Sequence, residues 1–270
     1  MIIDAHVHLF PPRVFDAIWR WFDRHAWNIR YRLHADEVIA HLSANGIDRF
    51  VGLSYSHVPE MARDLNRFMA ELAAAHPRTL IPLGTVLPGE PDEAAIIDEA
   101  LALGLRGFKL HCHVQKLAPD DARLDVVYRK AADAGVPVVI HAGRAPCLDG
   151  YGVDTRALCS VDATRRVLTR HPRLKLLVPH LGADEELAYL ALLDDFPNLH
   201  LDTTMTLGDW FARPLAPEIL TRHADRILYG TDFPNLPYEW DRELRWLQTH
   251  IPEPARSRIL GGNASRLFDQ

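Results

Sequence analysis

The chain is predicted to be α/β, a single (β/α)8 barrel of the TIM type. Short apolar runs alternate eight times with amphipathic stretches, and no break in composition divides the 270 residues. The length is close to the roughly 250 residues typical of such a barrel. An open doubly wound sheet would show a glycine-rich turn after its first strand, and Leu9-Phe10-Pro11-Pro12 is nothing of that kind.

The expected strands cover residues 1–8, 49–54, 80–86, 107–111, 137–141, 174–180, 199–203 and 227–231. Each is short and mostly apolar, as strands buried on both faces must be. The expected helices cover 36–45, 60–75, 92–103, 121–134, 161–170, 183–193, 217–223 and 238–249. Several carry end signals: Asp36 opens the first, and Gly46, Gly104 and Gly135 follow three of them as favoured helix stops. Two connections are long. Residues 11–35 form an aromatic insertion after the first strand, read as a loop, in which Phe15, Trp19 and Phe22 have helical spacing. The loop either roofs the site or makes a subunit contact, and those three residues are expected to pack on the barrel. Residues 143–160 follow the fifth strand. Both leave the carboxyl face of the barrel, where loops carry function.

Composition narrows the function classes. The chain holds 30 basic and 36 acidic residues, a net charge of -6, with no basic block, which argues against a nucleic-acid partner. Cys112, Cys147 and Cys159 are odd in number and lack C-x-x-C spacing, so a disulfide framework is not expected. No apolar run reaches membrane length and no charged leader with an apolar run is evident. A cytoplasmic setting with no membrane partner is the expectation.

Histidine is the unusual count, at 15. Five end predicted strands: His6 and His8 the first, His111 the fourth, His141 the fifth and His180 the sixth. Asp232 follows the eighth. Strand ends converge at the mouth of a barrel, and imidazoles with a carboxylate make a donor set suited to zinc, iron or manganese. By strand alternation His6 and His8 share a face, with Asp4 one step deeper as support for their rings. Alternation also puts Lys109 and His111 on one face and Cys112 on the other, and leaves Cys112 and His113 as bystanders. Arg144 presents paired donors that suit a carboxylate. Tyr55 and His57 after the second strand, and Thr203 and Thr204 after the seventh, are weaker candidates for substrate contact.

The motifs Asp4-Ala-His-Val-His8, Val139-Ile-His-Ala-Gly143, Val178-Pro-His-Leu-Gly182 and Tyr229-Gly-Thr-Asp-Phe-Pro234 resemble the amidohydrolase superfamily. The nearest branch is the one containing aminocarboxymuconate semialdehyde decarboxylase and related hydrolases; Gly107-Phe-Lys-Leu-His111 and Gly262-Asn-Ala-Ser-Arg-Leu-Phe268 look like it too. The resemblance implies one divalent metal, most often zinc, on His6, His8, His141 and Asp232, with a water completing the shell. It makes His180, with Asp232, the group that moves the proton. In other branches a lysine at the place of Lys109 is carboxylated and bridges two ions, a second of which would take His141 and His180. The mononuclear form is the expectation here.

The expected activity is metal-dependent hydrolysis of a small amide, lactone or ester, with a carboxylate on the substrate for His111 or Arg144 to hold. The alternative on the same residues is non-oxidative decarboxylation of an aromatic or unsaturated acid. A metal-dependent deoxyribonuclease shares the early H-x-H and late Thr-Asp, but would carry a glutamate where this chain has Phe108-Lys-Leu-His111. The expected partner is a small-molecule substrate, and the aromatic insertion would suit a homodimer.

Overall fold

The computed structural model describes residues 1–208 and 215–269. Its eight strands fall where the apolar runs do: β1 (Ile3–His8), β2 (Arg49–Leu53), β3 (Leu80–Pro82), β4 (Phe108–His111), β5 (Val138–His141), β6 (Leu176–Val178), β7 (Leu199–Asp202) and β8 (Ile227–Leu228). All pair in parallel, β1-β2-β3 in one arc and β4 to β8 in order in another. Backbone hydrogen bonds join the arcs on both sides. Gly84 N donates to Gly107 O at 2.8 Å and Lys109 N to Gly84 O at 2.7 Å. Across the other seam, Ala5 N donates to Tyr229 O, Asp232 N to His6 O and His8 N to Phe233 O, at 2.8, 2.9 and 2.8 Å. The ring is closed, as a (β/α)8 barrel requires.

The helices, in chain order, begin with α1 (Pro12–His25), α2 (Ala35–Ala44), α3 (Met61–Ala75), α4 (Glu93–Ala102), α5 (Cys112–Gln115) and α6 (Asp125–Ala134). Then come α7 (Thr155–Leu158), α8 (Val161–Arg170), α9 (Glu186–Asp195), α10 (Pro217–Arg222), α11 (Arg242–His250), α12 (Ala255–Ser257) and α13 (Asn263–Phe268). Inside the ring, Ala5, Val51, Leu53, Leu83, Val139 and Leu177 make a dry core, and α13 closes its amino-terminal end with Ala264, Leu267 and Phe268. The outer faces of the strands pack on the helices in a second, larger core. None of the described helices is long and apolar enough to cross a membrane.

Two local departures matter for the site. The insertion read as a loop is instead the 14-residue helix α1, entered through Pro11 and Pro12, whose fixed φ suits a first turn. In β1, Asp4 pairs with Phe50 but Val7 with Gly52, so three steps of β1 match two of β2. This bulge inverts the alternation, and Asp4 does not share the face of His6 and His8.

Candidate metal centre

The bulge turns His6 and His8 inward together at the carboxyl mouth. His6 Nε2 and His8 Nε2 lie 3.2 and 3.0 Å from one oxygen of Asp232, and the three donor atoms sit within 4.8 Å of one another. Asp232 reaches them from a strained position, with φ at 74°, a left-handed conformation that costs a non-glycine residue of order 1 kcal/mol or more. Asp4 holds that turn in place. It accepts from the hydroxyl and N–H of Thr231, at 2.6 and 3.1 Å, and from the backbone N–H of His6. Its role is to tie β1 to the β8 turn, and the expectation that it supports the imidazoles is corrected.

The imidazole partner is Asp202, at the end of β7. Its Oδ2 lies 3.0 Å from His6 Nδ1, while its Oδ1 accepts from the backbone N–H groups of His180 and Thr204. Burial works against its charge, but the His6 and His180 imidazoles and these hydrogen bonds hold its carboxyl well below the usual range. Burial and the charge of Lys109 push His6 the other way, down to about 4, against the pull of Asp202. A neutral His6 has one N–H, and an ionised Asp202 can only accept, so Nδ1 donates and the Nε2 lone pair faces Asp232. Asp232 is buried too, but its hydrogen bond with His8 and the nearby His8, His6 and His180 imidazoles hold it below its ordinary value. A lone pair and a carboxylate oxygen aimed at each other call for a cation between them, and two imidazoles with a carboxylate are ligands for a divalent metal.

His141 stands apart from this group. It lines the same cavity, but its Nε2 lies 2.9 Å from the Ala145 carbonyl oxygen, which can only be accepting from it. Its ring stacks on His111 at 4.4 Å and meets His180 at 4.8 Å. His180 stands on a turn of left-handed residues, with φ 58° there and 50° at Leu181. Gly182 makes the turn feasible, because a Cβ there would fall 2.0 Å from the Tyr189 ring. The His180 Nδ1 lies 3.0 Å from the Thr204 carbonyl oxygen, so Nδ1 carries the proton and Nε2 keeps its lone pair. Burial lowers the basicity of His180 against the pull of Asp232 and Asp202.

Lys109 and His111 look into the cavity, as their parity implied. The Lys109 ammonium has no hydrogen-bond partner among the described residues, and burial brings it down to about 8 against the pull of Asp202 and Asp232. The ring of Tyr55 lies 5.0 Å from His111 and 5.7 Å from His8, and His57 lines the cavity from an exposed position. Thr203 and Thr204 are buried but do not line it; Thr204 acts through His180.

Two expectations change. Arg144 is no carboxylate clamp, since its guanidinium pairs with Glu185 at 3.1 Å and donates to the Cys159 carbonyl at 3.2 Å. It fastens the loop after β5 to the start of α9 and does not line the cavity. His113, taken for a bystander, lines it. The chain leaves β4 directly into α5, so strand alternation ends at His111, and the His113 ring reaches within 4.6 Å of His141. Cys112 does turn away, into the helix-side core. Asp202, His113 and Tyr151, which lines the cavity with its ring 5.0 Å from His113, are the residues that sequence reasoning missed. Only Asp202 left a signal, a carboxylate ending a strand as Asp232 does.

The family model for amidohydrolases (Amidohydro_2) matches residues 3–270. The chain belongs to the amidohydrolase family. It is an enzyme of that family, and solved structures across its full length share its fold. A TIM-barrel protein from Bordetella bronchiseptica is 24% identical over 99% of this chain and 98% of its own, with a TM-score of 0.74. A 5-carboxyvanillate decarboxylase from Novosphingobium aromaticivorans, complexed with manganese and 4-hydroxy-3-methoxy-5-nitrobenzoic acid, is 18% identical over 100% and 96%, with a TM-score of 0.70. A probable 2-pyrone-4,6-dicarboxylic acid hydrolase from Acinetobacter baumannii is 15% identical over 100% and 99%, with a TM-score of 0.64.

Proposed function

We propose that this amidohydrolase cleaves an ester, lactone or amide with the help of one divalent metal held by His6, His8 and Asp232. The observation that carries the reading is the gathering of those three donor atoms within 4.8 Å, beside a histidine whose Nε2 is free to take a proton. A bound ion would supply Lewis acidity, polarising a carbonyl and making nearby water acidic. Zinc suits two imidazoles and a carboxylate; manganese, present in the decarboxylase of similar fold, is the other candidate.

The protein's own groups do the rest. Asp202 fixes the His6 tautomer so that Nε2 is the donor atom offered. The Thr204 carbonyl does the same for His180, whose Nε2 accepts a proton from the attacking water and returns it to the leaving group. His141 would offer a fourth donor if its Nε2 gave up the hydrogen bond to Ala145 and the ring proton moved to Nδ1. The buried ammonium of Lys109 offers a charge partner for a substrate carboxylate, with His111 and Tyr55 beside it. A single ion is the proposed count, because His6, His8 and Asp232 are the one such group of donor atoms among the described residues.

A second reading rests on that same unpaired Lys109. A carboxylate held there beside the metal centre is placed to be lost as carbon dioxide, and the carbon left behind takes a proton that His180 Nε2 first draws from solvent water. Metal-loaded protein incubated with aryl esters, lactones and aromatic carboxylates in isotopically labelled water separates the two. Oxygen-18 in the product acid supports hydrolysis; carbon dioxide with solvent deuterium on carbon supports decarboxylation. Metal-dependent turnover of neither kind would overturn both.

A further inference from the structure

The metal centre forms the floor of a cavity of about 1100 Å³, just above the roughly 300–1,000 Å³ usual for ligand sites. Its floor is polar and its upper wall is not. That wall is α1, which carries two apolar stripes. Phe15 and Trp19 are buried against the barrel with Phe10, Ile29 and Leu65. Val14, Ile18, Trp21 and Phe22 follow the i, i+4, i+7, i+8 spacing of a second stripe, stay half-buried and line the cavity, with Ala17 exposed among them. Val14, Ile18 and Phe22 pack in part against the same cluster as Phe15 and Trp19. With Trp21 they also turn apolar surface to the open space above the metal centre.

That space is held open by fixed contacts. The Trp21 ring lies 5.0 Å from Tyr151 of the loop after β5. Gly150 lets the two approach, since a Cβ there would fall 2.5 Å from the His25 ring. After α1, Trp27 Nε1 donates to the Asn235 carbonyl of the β8 loop at 2.9 Å. Val114, Met205 and Leu187 also line the cavity, the last 64% exposed. The cationic side chains among the described lining residues are Lys109 and Lys116, apart from the histidines, and no arginine is among them. A compact di- or tricarboxylate would leave most of this surface bare.

We infer that the substrate is amphipathic, with an oxygen-bearing head on the histidine floor and an alkyl or aromatic body of about six carbons or more along the second stripe of α1. The inference deepens the proposed function and rests on it for the head alone. The apolar body is recognised by area, whatever bond is cleaved below it.

The test uses 4-n-alkylbenzoates from methyl to hexyl as probes, titrated against tryptophan fluorescence, since Trp21 and Trp27 line the cavity. In metal-loaded protein Kd is expected to fall about two- to fourfold per added methylene. Metal-free protein should bind every member more weakly with the same chain-length dependence. Ala17→Glu, at an exposed helix position that spares folding, should cut the dependence below about 1.5-fold per methylene. A Kd indifferent to chain length, or a dependence unchanged in A17E, would overturn the inference. Indifference to chain length joined to a dimer that A17E dissociates would assign the stripe to a second copy of the chain, and overturn it equally. A chain-length dependence with no turnover of any ester, amide or acid would remove the catalytic reading and leave the amphipathic pocket standing. Turnover with no such dependence would do the reverse.

Discussion

His6 Nδ1 lies 3.0 Å from Asp202 Oδ2, and both side chains are sealed from solvent. The pair decides which nitrogen of His6 faces Asp232. Asp202→Asn can hold the backbone bonds to His180 and Thr204 but offers a weaker, neutral acceptor. Affinity for zinc or manganese should fall about 10- to 100-fold by competition titration, with secondary structure kept by circular dichroism.

In the proposed function His180 moves protons and does not hold the ion. His180→Gln should lower kcat by about 100-fold or more while metal content by elemental analysis stays at the native level. An equal loss of both would mean that His180 ligates a second ion.

Arg144 serves the fold. Its pair with Glu185 is partly exposed, so Arg144→Ala should cost no more than about 1 kcal/mol by urea denaturation. KM for a carboxylate-bearing substrate should stay within about twofold. A large rise in KM with unchanged stability would restore Arg144 as a substrate contact.

Glu243 gives a pH signature to stability. Burial pushes its carboxyl up to about 7, against the hydrogen bond from Tyr238. A raised folded pKa means that the folded state holds a proton the unfolded chain has released. Its contribution is complete below about 4.5 and is lost as pH rises through about 7. Glu243→Gln removes that loss. From pH 5 to pH 9 the stability difference should move in favour of the variant by on the order of 2–3 kcal/mol, read from urea midpoints. A difference independent of pH would place an ordinary carboxylate there.

The eight strands and the meeting of His6, His8 and Asp232 were legible because buried parallel strands are continuous apolar runs and barrel geometry gathers their ends. The bulge in β1 was not, since one extra residue leaves no mark in composition, and it separates Asp4 from the histidines it was expected to support. His113 was hidden by the abrupt change from strand to helix after His111, and the partner of Arg144 lies 41 positions away, where no local pattern points. The spacing of Phe15, Trp19 and Phe22 is helical although the insertion reads as a loop in the sequence, and that Val14, Ile18, Trp21 and Phe22 face a cavity becomes visible only when the space beside the helix is seen.

The central claim is that His6, His8 and Asp232 hold a metal. Isothermal titration of chelator-stripped protein with zinc and with manganese tests it directly, run beside Asp232→Asn. The expected result is about one ion per chain in the native protein, with binding weakened at least 100-fold in the variant. Native protein that binds neither ion, or D232N that binds as tightly as native, would contradict it.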